Sequence, residues 1–317
     1  MKAIRISQFG SPDVLDYVDE PVPHPKAGEA VVEVHAAGVG PWDAWMQEGK
    51  TGQSLPFTPG SDLSGIVRTV GAGVTSVAPG EAVYGVTNGM FTGAYAEYAA
   101  AECGRLAPKP RTLTDVEAAA VPVVAVTAWQ MLFEHARTEG GHTVLVHGAA
   151  GNVGSFVVQL ARWKGARVIA TASAKDTAYV RALGADDIID YSRQQFDAMV
   201  KDVDAVFDTV GGETLERSVA VVRAGGIIVS SVAPPDAAAA ARRSVRTAYF
   251  LVDVTTDRLR RLTNLLESGA VRTTVGSVIP LSEAGRAHSL LTSTTRPRGK
   301  IVLQVAVVAH APQSPHS

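Results

Sequence analysis

The sequence predicts an α/β protein with two parts, a doubly wound parallel sheet and a small, irregular β-barrel. From about Pro122 to Leu266, short apolar runs alternate with helical patterns, whereas the preceding part of the chain is β-rich and dense in Pro and Gly. The last stretch returns to strand-like patterns at Ser277–Leu281 and Lys300–Val305. The chain has 317 residues, 46% of them hydrophobic, which is enough apolar material to build both parts.

The central region contains six strand candidates separated by helical segments. This alternation predicts a sheet of six parallel strands with helices on both faces. The first connecting helix is predicted over Ser155–Trp163, and the alanine run Ala237–Ala241 predicts the start of another. The six strand candidates are Thr143–His147, Arg167–Thr171, Asp187–Asp190, Ala205–Asp208, Gly226–Ser231 and Ala248–Val252.

The barrel is predicted from strand patterns near the N-terminus. Apolar and polar residues alternate in Val31–Ala36 and Ala94–Tyr98, and Gly65–Val70 is rich in β-branched residues. Turn residues are dense between these runs, as in Pro21–Pro25 and Pro56–Gly60.

A glycine-rich turn links the first strand of the parallel sheet to its helix. Gly148, Gly151 and Gly154 lie between the apolar run Val144–Val146 and the helix. Such a turn lets backbone N–H groups approach a phosphate, and the helix N-terminus favours its charge. Strand, glycine turn and helix in this order are typical of a dinucleotide site. Ala149 occupies the first glycine position of the register, and an ordinary strand-to-helix loop is the alternative.

The residues after the second strand favour NADPH over NADH. An NAD site usually has Asp or Glu here, about 20 residues past the glycines, to bind the ribose 2′-hydroxyl. This chain has Ser173 and Lys175 instead, and no carboxylate before Asp176. A serine can donate to a 2′-phosphate and a lysine can neutralise it, whereas a carboxylate would repel it. A solvated surface lysine is the alternative interpretation.

Composition excludes several other classes of protein. The formal net charge of −2 gives no reason to expect nucleic acid or an anionic membrane as a partner. Cys103 is the one cysteine, so a disulfide within the chain is impossible, which fits a reducing compartment. No apolar run is long enough to cross a bilayer, and Met1–Ile6 does not resemble a signal peptide. We therefore expect a cytoplasmic protein.

Motifs spread over nearly the whole chain carry a family resemblance. They are Gly38–Asp43, Pro59–Gly65, Gly93–Tyr98, Thr127–Gln130, His147–Gly154, Leu183–Asp186 with Asp190 and Tyr191, Phe207–Gly211 and Arg298–Val302. In content and order they resemble the zinc-independent quinone oxidoreductase group of the medium-chain dehydrogenase/reductase superfamily. The resemblance implies a GroES-like β-barrel catalytic domain built from residues 1–121 and 267–317. It also implies a Rossmann NADPH-binding domain of residues 122–266, with cofactor and substrate in the cleft between the domains.

The chain lacks the metal ligands of related zinc-dependent alcohol dehydrogenases. Those enzymes supply cysteine at the position of Gly40 and histidine at that of Ser61, with glutamate where this chain has Asp62. Glycine has no side chain, and serine is a poor zinc ligand. One cysteine and eight scattered histidines offer no other ligand set, so we expect no metal. Without a Lewis acid, simple alcohol oxidation does not fit this chain.

The resemblance also implies a set of site residues. Around the pyrophosphate they are Ala150, Gly151, Asn152 and Val153; around the adenosine 2′-phosphate, Ser173, Lys175 and Tyr191; near the nicotinamide, Thr127, Val210, Phe250 and Val252; and in the substrate pocket, Trp42, Trp45, Asn88 and Phe91. Core packing is the alternative for Val210, Phe250, Val252 and the two tryptophans. Asp43, Tyr95 and Tyr98 are candidate proton donors, with water or a ribose hydroxyl as alternatives.

These residues predict an NADPH-dependent quinone oxidoreductase. The first alternative is an enone, enal or enoyl-thioester reductase, and the second is a non-catalytic NADPH-binding protein with a sensing or structural role. Quinones and α,β-unsaturated carbonyls accept a hydride readily because conjugation spreads the incoming charge onto an oxygen. Since Ala248–Val252 is predicted as an apolar edge strand, we also expect a homodimer that extends the sheet across two subunits.

Overall fold

The computed structural model describes residues 1–293 and 297–305. These residues form strands at β1 (Lys2–Ile6), β2 (Leu15–Asp19), β3 (Glu29–Val39), β4 (Asp62–Val70), β5 (Ala82–Val86), β6 (Tyr98–Glu102), β7 (Leu106–Pro108), β8 (Thr143–Val146), β9 (Arg167–Ala172), β10 (Asp187–Asp190), β11 (Val203–Asp208), β12 (Val222–Ser230), β13 (Arg246–Tyr249), β14 (Val275–Pro280) and β15 (Lys300–Gln304). The α-helices are α1 (Pro41–Gln47), α2 (Asp115–Ala119), α3 (Pro122–Trp129), α4 (Asn152–Lys164), α5 (Thr177–Ala182), α6 (Phe196–Met199), α7 (Gly212–Ser218), α8 (Ala237–Arg242), α9 (Thr256–Glu267) and α10 (Ala284–Leu291).

The six central strands form one parallel sheet, which confirms the predicted doubly wound domain. Their order is β10-β9-β8-β11-β12-β13, so successive strands are added first on one side of β8 and then on the other, and the strand order reverses between β8 and β11. Ligands of such sheets bind at the carboxyl ends of the strands, at this reversal point. The helix after β8 begins at Asn152, three residues earlier than predicted, and ends at Lys164, followed by Gly165 in the left-handed conformation.

The sixth strand ends earlier than the sequence predicted. Tyr249 is the last residue of β13 because its partner on β12, Ser230, is the last residue of that strand. The predicted strand Ala248–Val252 is therefore wrong for its last three residues, which lie beyond the sheet. Tyr249 and Leu251 are 53% and 61% exposed.

The second large sheet uses both ends of the chain, as expected for a GroES-like fold. Its order is β14-β15-β3-β4-β5-β7, and β6 also pairs with β3. The antiparallel pairing of β15 with β3 joins the C-terminal strand to the N-terminal region. The division at residues 121 and 266 remains a prediction, and its final segment beyond residue 305 lies outside the described residues.

One predicted strand of the barrel is mostly irregular. Of Ala94–Tyr98, only Tyr98 belongs to a strand. The backbone N–H groups of Ala94 and Tyr95 donate instead to the carbonyls of Gly60 and Pro59, at 2.9 and 3.0 Å. This segment therefore pairs with a proline-containing loop, which no local pattern reveals. No helix of the described residues is long and apolar enough to span a membrane.

Candidate dinucleotide and substrate site

The glycine turn after β8 is packed so closely that side chains are excluded. Gly148 has a φ of +70°, and a Cβ there would lie 2.3 Å from Thr209 Oγ1. A Cβ on Gly154 would lie 2.2 Å from the Gly148 carbonyl oxygen, which brings helix and turn together. Gly151 is the residue before α4, so the N–H groups of the first helical turn have no helical acceptor and can bind an anion.

A cavity of about 410 Å³ opens above this turn. It brings together six of the residues that the sequence assigned to a cofactor: Ala150, Gly151, Asn152, Ser173, Lys175 and Tyr191. The other lining residues are Gly148, Thr171, Ala172, Asp176, Thr209, Pro297, Arg298 and Gly299. The cavity therefore runs from the anion-binding turn to the end of β9, as a bound dinucleotide requires.

Asp176 also lines this end of the cavity, although the sequence interpretation did not assign it to the cofactor. The serine hydroxyl of Ser173 donates to Asp176 Oδ2 at 2.7 Å, and Arg298 Nε donates to Asp176 Oδ1 at 3.0 Å. Burial raises the pKa of Asp176, but these two hydrogen bonds and the charges of Arg298 and Lys175 together lower it more, so the pKa lies below its usual range. A carboxylate thus lines the cavity, and the serine that was expected to donate to a phosphate already has an acceptor.

Arg298 is the residue that sequence reasoning missed. Its guanidinium stacks on the ring of Tyr179, 4.4 Å from the ring centroid, and pairs with Asp176. Together with Lys175 it places two cations and one anion at this end of the cavity. Arg298 lies 122 residues after Asp176 in the chain, so no local spacing connects them. Its only signal was its place in the C-terminal family motif.

The loop after β11 forms another wall. Asp208 is fully buried and accepts hydrogen bonds from the N–H of Gly211 at 3.1 Å and the hydroxyl of Ser230 at 2.8 Å. These contacts fix the loop that carries Thr209 into the cavity. The adjacent Val210 is 52% exposed, so core packing, the alternative for this valine, is not its role.

Val210 and four other predicted cofactor residues do not line this cavity. Val153, Phe250 and Val252 are partly buried and pack against the core of the parallel sheet. Phe250 also stacks on His135, with ring centroids 4.4 Å apart. The Thr127 hydroxyl donates to the Val123 carbonyl within its own helix, at 2.7 Å.

Three of the four predicted substrate-pocket residues form one aromatic group. Trp42 contacts Trp45 and Phe91 edge to face, with ring centroids 6.1 and 6.2 Å apart. Trp45 is 42% exposed and Phe91 is 6% exposed, so this group, which we call the aromatic wall, extends from the surface inwards and does not simply fill the barrel core. Asn88 differs, because its amide donates to the Thr92 carbonyl and its oxygen accepts from the Met90 N–H. The Asn88 side chain therefore stabilises the loop to which it belongs.

An ammonium group lies beside Gly40, one of the positions where the sequence lacks a zinc ligand. A Cβ on Gly40 would be 3.5 Å from Lys300 Nζ. That ammonium donates to Asp62 Oδ2 at 2.8 Å, and the side chains of Lys300 and Asp62 are 5% and 3% exposed. No group of three His, Cys, Asp or Glu comes together within residues 1–293 and 297–305. The donors present do not fit a zinc ion, which would lie against a buried cation.

Two of the candidate proton donors are in contact with each other. Asp43 Oδ2 accepts from the Gly40 N–H at 2.8 Å and from the Tyr95 hydroxyl at 3.2 Å. Burial raises the pKa of Asp43 to about 7, although the Lys300 ammonium opposes this shift. Burial likewise holds the pKa of Tyr95 well above its usual value.

Comparison with known proteins places this chain in a family. The family model described as alcohol dehydrogenase GroES-like domain matches residues 26–111, and the one described as zinc-binding dehydrogenase matches residues 183–303. The quinone oxidoreductase of Rattus norvegicus is 30% identical, over 96% of this chain and 97% of its own. This chain belongs to the medium-chain dehydrogenase/reductase superfamily. It is a quinone oxidoreductase-like member and hence an oxidoreductase.

Two further relatives differ in what their names describe. The 2-methylene-furan-3-one reductase of Solanum lycopersicum is 35% identical, over 96% of this chain and 79% of its own. A mycobacterial protein, whose structure was determined in complex with NADPH, is 31% identical with a TM-score of 0.86, over 96% of this chain and 100% of that one. The names of the rat and tomato enzymes describe different acceptors, so these relatives do not identify a single acceptor class.

Proposed function

We propose that this protein is an NADPH-dependent, zinc-independent reductase that transfers a hydride to quinones. The observation that carries the proposal is the charge at the far end of the 410 Å³ cavity, where Lys175 and Arg298 outweigh Asp176 by one positive charge. A 2′-phosphate is the group that distinguishes NADPH from NADH, and it is bound best by such cations. The NADPH complex of the mycobacterial relative supports the same choice of cofactor.

We infer the remaining cofactor contacts from the direction of the cavity, which runs from the glycine turn to the end of β9. We assign the pyrophosphate to the backbone of Ala150, Gly151, Asn152 and Val153, at the start of α4. The nicotinamide then lies towards Thr127, Val210, Phe250 and Val252. Only Val210 among these has a largely exposed side chain, so we expect it to make the most direct contact.

The bound cofactor supplies the hydride, and the protein orients the acceptor. Trp42, Trp45 and Phe91 offer an aromatic wall for a flat, apolar acceptor such as a quinone. A second acceptor class, the alkenals and enones, is favoured by the tomato reductase, which is more similar to this chain than the rat quinone oxidoreductase is, at 35% against 30% identity.

An acceptor screen tests the proposal. The purified protein is mixed with NADPH and a panel of quinones, enals and enones, and the loss of reduced-nicotinamide absorbance is followed. We expect turnover with quinones, and faster turnover with enones would select the second class. NADPH binding without turnover on any acceptor would refute a reductase function and leave the non-catalytic alternative.

The assembly is a separate proposal. We propose a homodimer in the cytoplasm that pairs two copies of β13 across a twofold axis. The apolar side chains of Tyr249 and Leu251, both more than half exposed, lie at and just beyond the end of that strand. The pairing segment is therefore Arg246–Tyr249 rather than the full Ala248–Val252 of the sequence prediction.

A further inference from the structure

The backbone at Gly40 leaves a small open space, which we call the Gly40 notch. A Cβ on Gly40 would lie 3.5 Å from Lys300 Nζ and 3.9 Å from Asp43 Oδ2. Apart from Gly40 and its two neighbours in the chain, no other atom of the described residues lies within 4 Å of that point. A ligand atom placed in the notch would therefore meet an ammonium group and a carboxyl group.

Lys300 is held in position by contacts at the end of its side chain. A Cβ on Gly38 would lie 2.9 Å from Lys300 Cε, so the lysine chain passes directly over that glycine. Its ammonium donates to Asp62 Oδ2, and Asp62 Oδ1 accepts from the Val123 N–H at 2.9 Å. This is the one hydrogen bond that the ammonium makes within the described residues, and an ammonium has three donors. Two remain for a ligand.

Asp43 does not cancel the positive charge of Lys300 near neutral pH. Its carboxyl group is 5% exposed and faces the Lys300 ammonium, the Asp62 carboxylate and the Tyr95 hydroxyl. Since burial raises the pKa of Asp43 to about 7, part of the population is neutral there. The Asp62 carboxylate offsets the charge of Lys300, so the notch presents the N–H groups of the ammonium beside a partly protonated acid, without a net positive charge.

The notch also lies next to the aromatic wall. Gly40 directly precedes helix α1, and Trp42 and Trp45 both lie on that helix. An acceptor that stacks against the wall therefore lies on the helix that the notch directly precedes. A conjugated carbonyl compound has such a substituent, its carbonyl oxygen.

We propose that the carbonyl oxygen of the acceptor binds in the Gly40 notch and that the Lys300 ammonium stabilises the negative charge that this oxygen gains. This inference rests on the proposed function. As the acceptor takes up a hydride, one C–H bond of the reduced cofactor breaks and the acceptor gains two electrons and the hydrogen. The electron pair of the conjugated system shifts onto the oxygen, and the resulting anion takes a proton from water. A preorganised cation at such an oxygen is a major source of rate acceleration.

A purely structural role for Lys300 predicts something different. If the lysine served only to neutralise Asp62, removing both charges in the double variant Asp62→Asn/Lys300→Met would restore wild-type behaviour. If the ammonium contacts the acceptor, the double variant folds but remains defective. The comparison separates the two roles even if Lys300→Met alone is unstable.

The test uses 4-nitrophenol, a flat phenol whose ionised form has its own absorbance. It is bound to the full-length protein in the presence of saturating NADP⁺, and its ionisation is titrated with pH. We expect the wild type to favour bound phenolate at least about tenfold over both Lys300 variants, one pKa unit of the bound phenol. Lys109→Met is the matched control, since it removes a lysine from another Lys–Asp pair, with Asp115, that does not line the notch.

Kinetics provide the second readout. We expect Lys300→Met and the double variant to lose about 100-fold in kcat, as for loss of one oxyanion donor, with the Kd for NADPH unchanged. Equal phenolate stabilisation in all four proteins, no binding of the phenol to the wild type, or recovery of kcat in the double variant would each overturn the inference. The proposed function fails separately, if the wild type turns over no acceptor.

Discussion

The charges around Asp176 give the sharpest prediction about cofactor choice. Arg298 donates to Asp176 at 3.0 Å, so removing the arginine deletes one cation and also leaves a carboxylate unpaired beside the proposed 2′-phosphate. A charge-assisted hydrogen bond contributes about 1.5–3 kcal/mol, which is roughly 10- to 150-fold in Kd. The Arg298 side chain is 36% exposed, which favours the low end of that range.

Substitution of Asp176 should change the affinity for NADPH in the opposite direction. Asp176→Asn removes an anion, so we expect NADPH to bind several-fold more tightly, while Arg298→Met weakens it by about tenfold or more. Lys175→Ala should also weaken NADPH. None of the three should change NADH binding appreciably, because NADH has no 2′-phosphate. Wild-type protein should prefer NADPH to NADH by at least ~10-fold.

Titration calorimetry or nicotinamide fluorescence measures each Kd, and a double-mutant cycle gives the coupling. The cost of Arg298→Met should be smaller in the Asp176→Asn background, because no unpaired carboxylate is then exposed to the phosphate. Arg193→Met is the control, an arginine near Tyr191 that does not line the cavity. Additive effects, or equal wild-type affinity for NADPH and NADH, would refute the assignment of this pocket.

Four further predictions follow from the structure. Burial lowers the pKa of His288 to about 4 in the folded protein, so the unfolded chain binds a proton first and the free energy of unfolding falls as pH drops from about 6.5 towards 4. Between pH 7 and pH 5, urea unfolding should show that the wild type loses about 2 kcal/mol more of this free energy than His288→Gln does. Equal losses in the two proteins would contradict this. Burial raises the pKa of Asp43 to about 7, and its ionised form would offset the Lys300 charge beside the acceptor oxygen, so turnover should decline as pH rises through about 7. The decline should disappear in Asp43→Asn, and an unchanged pH–rate profile in that variant would contradict this coupling. Activity should survive dialysis against a strong chelator, with far less than one zinc per chain, whereas stoichiometric zinc with chelator-sensitive turnover would overturn the interpretation of Gly40 and Ser61. Light scattering at micromolar concentration should give about twice 33.1 kDa and a lower mass for Tyr249→Lys, whereas a wild-type mass near 33.1 kDa would exclude the dimer.

The parallel sheet and its glycine turn could be predicted because their signals are local. The first apolar strand, the three glycines and the following helix are consecutive in the chain, so each of these elements is predicted from the residues that form it. Strand ends were less predictable. β13 ends at Tyr249 because β12 offers no partner beyond Ser230, and that limit belongs to a neighbouring strand rather than to the apolar run Ala248–Val252.

The candidate site was predictable only where its residues lie near the glycine turn or the end of β9. Ser173, Lys175 and Tyr191, which the sequence assigned to one end of the cofactor, line one cavity, but the pairing of Ser173 with Asp176 depends on side-chain rotamers. Arg298 and Lys300 reach the site from the last described strand and the loop before it. They contact residues more than 100 positions earlier, so only the folded chain brings them to Asp176 and Asp62.

The central claim is that this chain reduces an activated carbonyl acceptor with NADPH and without a metal. Chelator-treated protein saturated with one equivalent of NADPH can be mixed rapidly with a quinone or an enone, and the nicotinamide absorbance followed through a single turnover. The account predicts that the reduced-nicotinamide signal decays completely, that one acceptor is reduced per NADPH, and that added zinc does not change the rate. A stable NADPH signal in the presence of every acceptor, or decay that begins only when zinc is added, would contradict it.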